Sequence, residues 1–233
     1  MNKKVCLGLL MFLVLSMMFA GVANAEDKFA SELNPQRDYL IVVNEEKPFD
    51  WTSEYYFNLK QDCVRVADVF DGDLIYVEKA AYAAFTLLQH DLSKQGMIVG
   101  LYDAYRSHST QQAVMDYYGS LEGWSEKVKT SSPGYSEHHT GLLLNVMIWY
   151  SEDGEYWGWY TESAERQEST PYFRLLHERL ADYGFIDRYP SGKEEWTGMP
   201  SEPFEIRFVG SSEIAHAITD NGLCLEEYLY LSK

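Results

Sequence analysis

Along the chain, stretches of apolar positions recurring every three or four residues alternate with short apolar runs that have the length of strands. Val77, Ala81, Ala84, Phe85, Leu88 and Leu92 fall on one face at helical spacing, and Gly96 follows as a stop. A second helix is predicted through Gln111, Ala113, Val114 and Tyr117, with Ser109 as its cap. A third spans Tyr172 to Tyr183, with Phe173, Leu176, Leu180 and Tyr183 on one face and Gly184 ending it. A fourth starts near Ser211 or Ser212, carries Ile214, Ala215 and Ile218, and ends at Gly222; a short helix or turn follows at Leu225 to Leu229. Strands are predicted at Tyr39 to Asn44, Cys63 to Val69, Met97 to Tyr102 and Leu142 to Trp149. The last is apolar without alternation, as a strand buried on both faces requires. Asp71-Gly72-Asp73 reads as a turn, Glu45 to Asp62 as irregular chain wrapping the core, Gly119 to Pro133 as a polar loop and Ser151 to Thr170 as an acidic, aromatic flap. Helices and strands interleave but the strands cluster late, which favours an α+β domain with a small antiparallel sheet flanked by helices over a doubly wound sheet.

The first 25 residues break this pattern. Lys3 and Lys4 precede an uncharged apolar run from Val5 to Ala20, and Ala23-Asn24-Ala25 forms a small-residue cleavage site. Residues 1–25 therefore read as a secretory signal peptide, with Glu26 as the first mature residue. The rival reading, an uncleaved anchor, fits the small-x-small end less well, and Cys6 sits too early for a lipoprotein cysteine. The mature chain of 208 residues suits one domain, divided as an N-terminal wrapping segment over 26–73 and a main domain over 74–233. No integral membrane span is expected after cleavage.

Charge narrows the partners. The whole chain carries −17, and losing the two signal lysines takes it to −19. So acidic a protein has no electrostatic affinity for nucleic acid or anionic membrane. Of the cysteines, Cys63 and Cys224 remain after cleavage; an exported protein can pair them, and two buried thiols are the equal alternative.

The residues that bear chemistry lie in two stretches, Ser136-Glu137-His138-His139-Thr140-Gly141 with Asn145 beyond it, and Glu202-Pro203-Phe204-Glu205-Ile206-Arg207. His138 sits just before a buried strand, and a side chain seven residues on can point back to the same place. Glu202 and Glu205 open the next strand, close enough to repel unless a cation or a proton lies between them. Arg106 closes an earlier strand, with Gln111 on the helix after it. His139 should point away from its neighbour on an extended segment. His90, His108, His177, Arg179 and His216 read as loop, boundary or solvated positions.

These stretches resemble the zinc D-alanyl-D-alanine carboxypeptidases of the VanY type, which trim peptidoglycan stem peptides. The likeness covers residues 74–230. It rests on Tyr105-Arg106-Ser107 with Gln111, on Ser136-Glu137-His138 with Thr140-Gly141-Leu142, and on Gly184-Phe185 with Arg188-Tyr189-Pro190. Glu202-Pro203, Arg207-Phe208-Val209-Gly210 and Leu225-Glu226-Glu227-Tyr228-Leu229 complete it.

The resemblance implies zinc held by residues 138, 145 and 205, Glu202 as general base, and Arg106, Gln111 and Ser136 on the substrate peptide. It implies an α+β metallopeptidase-like cleft and an extracytoplasmic, cell-envelope location. The chain departs from the pattern at the metal: Asn145 stands where the family has Asp, and Glu205 where it has His. Asp103 replaces a small serine and Phe204 replaces Trp. The formal charge of the ligand set is unchanged, but one imidazole and two oxygens make a harder set than two imidazoles and a carboxylate, so zinc preference falls. Two expectations follow: a carboxypeptidase with a weakened metal site, or a non-catalytic relative that binds wall peptides or serves as a structural partner.

Overall fold

A computed structural model describes residues 29–67, 74–121, 129–152, 155–158 and 171–233. The signal-like segment and the Asp71-Gly72-Asp73 turn lie outside them.

The elements are α1 (Glu54–Asp62), β1 (Cys63–Ala67), β2 (Leu74–Glu78), α2 (Lys79–Ser93), β3 (Met97–Asp103), α3 (His108–Ser120), β4 (Leu143–Glu152), β5 (Glu155–Gly158), α4 (Pro171–Leu180), β6 (Phe185–Asp187), α5 (Glu194–Thr197), β7 (Glu205–Phe208), α6 (Ser212–Thr219) and α7 (Leu225–Leu231). Two sheets form, both antiparallel. One is the β1–β2 pair; the other has the order β3-β4-β7-β6, with β5 paired to the far end of β4. This is the α+β architecture that the pattern predicts.

The core forms between α2, α4 and one face of the larger sheet. Ala81, Ala84, Phe85, Leu88 and Leu92 of α2 are fully buried against Leu144, Val146 and Ile148 of β4 and Ile206 and Phe208 of β7. Each large apolar side chain so buried contributes about 1.5–3 kcal/mol. The run over residues 143–148, apolar but for Asn145, follows from burial on both faces: Leu143, Asn145 and Met147 point away from α2 and are buried as well. A second cluster, with Ile186, Val209, Ala215, Ile218 and Leu225, closes the far side under α6 and α7.

Several elements differ from the sequence reading. Tyr39 to Asn44 pairs with no strand, because its backbone bonds to side chains: Val43 N donates to Glu137 Oε2 at 3.0 Å, and Ile41 O accepts from Arg207 Nη2 at 2.9 Å. The supposedly irregular stretch before Cys63 holds α1, started by Ser53, whose hydroxyl accepts from Tyr56 N. Val77 belongs to β2; α2 begins one residue after Glu78, whose carboxylate accepts from Ala81 N and so caps it. Ser107, not Ser109, caps α3. The flap region contains β5, hairpinned to β4.

The N-terminal wrap is built into the core: Phe29 stacks edge-on against Phe208 with ring centroids 5.5 Å apart, and Arg37 lies 3.4 Å from Glu78. Cys63 and Cys224 are both free thiols, pushed up to about 12 and about 11, first by burial. No helix among the described residues is long and apolar enough to cross a membrane.

Candidate active site

Strand register assembles the site. Asp103 of β3, Asn145 of β4 and Glu205 of β7 stand in one row across three adjacent strands. Asp103 joins that row only through a β-bulge: Leu101 pairs with Val146 on the core face, while Asp103, two residues on, pairs with Asn145 on the opposite face. One extra residue reverses which face the strand end presents.

The loop over 133–141 brings His138 to this row. Ser136 starts a single 3₁₀ turn over Glu137–Thr140, its hydroxyl accepting from His138 N at 3.4 Å. Gly141 ends the turn at φ +73°, where an added Cβ would lie 2.9 Å from Leu59 Cδ1. All four side chains of the turn are buried, and the first three run to different destinations.

Glu137 points backward. It accepts from Arg188 Nε at 3.1 Å, Arg207 Nε at 2.8 Å and Val43 N. Arg188 continues to Glu226, and both arginines are at most 1% exposed. Burial alone would raise the Glu137 carboxyl, but the two guanidinium groups outweigh it and hold it below the usual range. Sequence reading passed over this network, although Arg207 between Ile206 and Phe208 is a charge within an apolar strand and so demands a buried partner.

His139 points away from the row, as expected. Gly134 N donates to its Nε2 at 2.9 Å, and its Nδ1 donates to Arg106 O at 2.7 Å. Its ring packs on Trp51 at 4.7 Å. Burial holds it down to about 4, so it is neutral.

His138 faces the row. Its Nδ1 donates to Ala104 O, which leaves the lone pair on Nε2. Nε2 is buried, has no hydrogen-bond partner among the described residues, and lies 3.5 Å from Glu205 Oε1. Asn145 Nδ2 reaches Tyr102 OH at 3.4 Å, which turns Oδ1 inward, and Oδ1 is likewise buried without a partner. Three electron-pair donors thus stand along one row: His138 Nε2 beside Glu205 Oε1, and Asn145, at the position paired with Glu205, with its Oδ1 unpartnered among the described residues. Two ligand atoms on a tetrahedral metal, with bonds of 2.0–2.2 Å, stand roughly 3.4 Å apart, so the His138–Glu205 spacing fits a shared cation. The third donor is a neutral amide oxygen, and among the described residues no group of three His, Cys, Asp or Glu side chains converges as a metal site.

Glu202 opens the turn into β7: Glu205 N donates to Glu202 O at 2.9 Å. Burial pushes the Glu202 carboxyl well above the ordinary range, Glu205 adds to the rise, and Arg106 opposes it. His177, read from the sequence as solvated, instead meets Pro203 O at 2.9 Å and steadies this turn.

Arg106 and Gln111 are joined, Nη1 donating to Oε1 at 3.1 Å, and Gln111 Nε2 donates to Ser131 O at 2.8 Å. Asp103 takes the other side of the guanidinium. Its Oδ2 accepts from Arg106 Nε at 2.7 Å and lies 2.6 Å from Nη2. The end of β3 is fastened to the turn by three bonds: His138 Nδ1 to Ala104 O, Arg106 N to His138 O and His139 Nδ1 to Arg106 O.

Comparison with known proteins gives the family and the fold. Residues 74–211 match the family model VanY, D-alanyl-D-alanine carboxypeptidase. YodJ of Bacillus subtilis (strain 168) is 34% identical over 154 residues, 66% of this chain; the match spans 53% of YodJ, about half its length. A D-alanyl-D-alanine carboxypeptidase of Enterococcus faecalis (strain ATCC 700802 / V583) is 30% identical over 88% of this chain and 70% of its own.

Among solved structures, the LD-carboxypeptidase LdcB superposes with a TM-score of 0.65 at 30% identity, covering 82% of this chain and 86% of that one. VanYB in complex with D-alanine-D-alanine gives 0.60 at 27%, covering 84% and 99%. A VanY D,D-pentapeptidase in complex with Zn(II) gives 0.58 at 27%, covering 82% and 98%. The chain belongs to the VanY family of D-alanyl-D-alanine carboxypeptidases.

Proposed function

We propose that this protein is exported and acts on peptidoglycan stem peptides as a metal-dependent carboxypeptidase whose zinc site is weakened by Asn145 and Glu205. The observation that carries the reading is that His138 Nε2 lies 3.5 Å from Glu205 Oε1 with Asn145 at the strand position beside Glu205, and that His138 Nε2 and Asn145 Oδ1 are buried without partners among the described residues. These three side chains would hold the cation. Bound there, a divalent ion supplies Lewis-acid polarisation of a carbonyl and a more acidic water.

The chain's own groups do the rest. Glu202, kept protonatable by its buried setting, takes a proton from water and returns it to the leaving amine. Arg106, Gln111 and Ser136 line the approach and hold the peptide. Asn145 contributes no charge and Glu205 replaces an imidazole, so affinity for zinc should be lower than that of a two-histidine, one-carboxylate set.

The same two residues support a second reading, in which the cleft binds wall peptides without hydrolysing them. Metal analysis of the purified mature protein separates the two. Stoichiometric zinc, with turnover of an acyl-D-Ala-D-Ala peptide that Glu202→Gln abolishes, sinks the binding-only reading. Absence of both metal and turnover sinks the enzyme. Replacing Asn145→Asp together with Glu205→His should raise zinc affinity; a folded double variant that gains none would show that the surrounding hydrogen bonds no longer support the site.

A further inference from the structure

Arg106 is the cation placed to meet a substrate's chain end, yet the protein already supplies it with an anion. Asp103 Oδ2 accepts from Nε and lies 2.6 Å from Nη2, while Nη1 donates to Gln111 Oε1. Three of the five guanidinium N–H groups are thereby engaged. Among the described residues one N–H on Nη1 and one on Nη2 remain, beside a carboxylate. Among the described residues Asp103 Oδ1 accepts from Ala104 N alone, at 2.8 Å, and its side chain keeps 24% exposure.

An incoming carboxylate is acceptor-only and would face that second carboxylate, with Glu205 two strands further along the row. A primary carboxamide presents a C=O and an N–H side by side, as do the N–H and C=O of one residue in an extended peptide, and either matches the donor–acceptor pair. Asp103 takes this place because of the bulge; without the extra residue its side chain would share the core face with Leu101.

We propose that Asp103 is a specificity-determining residue: it cancels the charge of Arg106 and turns the cleft from a peptide's free terminal carboxylate toward a neutral amide, either a capped chain end or the next peptide bond. The inference rests on the peptide-cleft reading above and deepens it. It is tested by titrating three probes into the Glu202→Gln protein, which should bind without turnover, in zinc-containing buffer. The probes are acyl-D-Ala-D-Ala with a free carboxylate, the same peptide as its carboxamide, and the same peptide extended by one residue.

The native Asp103 protein should bind at least one neutral probe more tightly than the carboxylate. Asp103→Asn should shift the ratio toward the carboxylate by about tenfold, a change of preference that a merely structural role for Asp103 would not produce. Binding of the carboxamide alone points to capped ends; binding of the extended peptide as well points to internal bonds. A native protein that prefers the carboxylate to both neutral probes overturns the proposal and leaves the wall-peptide reading standing. So does a folded variant whose ratio does not move. If Asp103→Asn does not fold, the native ratio decides alone. If none of the three peptides binds, the peptide-cleft reading falls and this inference with it.

Discussion

Glu137 and His138 are adjacent residues on one turn, both buried, and their surroundings are opposite in kind. Behind the turn, Glu137 has two guanidinium partners and a backbone N–H, and the arginines are carried onward to Glu226, Ile41 and the backbone of Phe208. In front, His138 Nε2 and Asn145 Oδ1 have no partner among the described residues, and Glu205 lies 3.5 Å from His138. A buried polar atom without a partner costs about 1–3 kcal/mol. A fold that satisfies the buried carboxylate on one side of a turn and leaves two buried atoms open on the other has set the open side apart for something that arrives.

Four substitutions test that division. Glu137→Gln leaves Arg188 and Arg207 without their shared carboxylate and should cost about 3–5 kcal/mol in urea unfolding. A loss below 1 kcal/mol would erase the distinction between the two sides. His139→Phe keeps the ring against Trp51 but strands Gly134 N and Arg106 O, and should cost about 2–3 kcal/mol by the same measurement. If it is silent, His139 is filling rather than fastening. Gly210→Ala places a Cβ 2.8 Å from Tyr39 at φ +80° and should cost about 1–2 kcal/mol, read as a lowered Tm.

Glu205→Gln, on the open side, should change chelator-treated stability by less than about 0.5 kcal/mol or raise it, since the repulsion of Glu202 disappears. The same variant should lose most of the Tm increase that divalent cations give the native protein. A large destabilisation in chelator would mean that Glu205 belongs to the scaffold.

Much of the fold could be read from periodicity, because α2, β3 and β4 bury apolar residues at regular spacing. The N-terminal wrap could not: Tyr39 to Asn44 has strand composition, but its hydrogen bonds go to Arg207 and Glu137, far away in sequence. The candidate ligands His138, Asn145 and Glu205 were named from the resemblance; strand register sets Asn145 beside Glu205, and the 3₁₀ turn brings His138 to 3.5 Å from Glu205. His139 points away as expected but for another reason: residues 137–140 form a 3₁₀ turn and not an extended segment, and neighbouring side chains there stand about 120° apart. The roles of Glu137, Arg188 and Arg207 were hidden because a charged residue carries no mark of whether it meets water or an opposite charge. The pairing of Asp103 with Arg106 was hidden because a bulge leaves no periodic trace.

The three bonds that fasten the end of β3 to the 3₁₀ turn make Arg106 and His138 parts of one rigid body. On the reading proposed here, that body is a ruler. A peptide gripped at Arg106 presents the same backbone atom to His138 whatever its side chains are, so chain length beyond the grip, more than residue identity, decides which bond lies over the site.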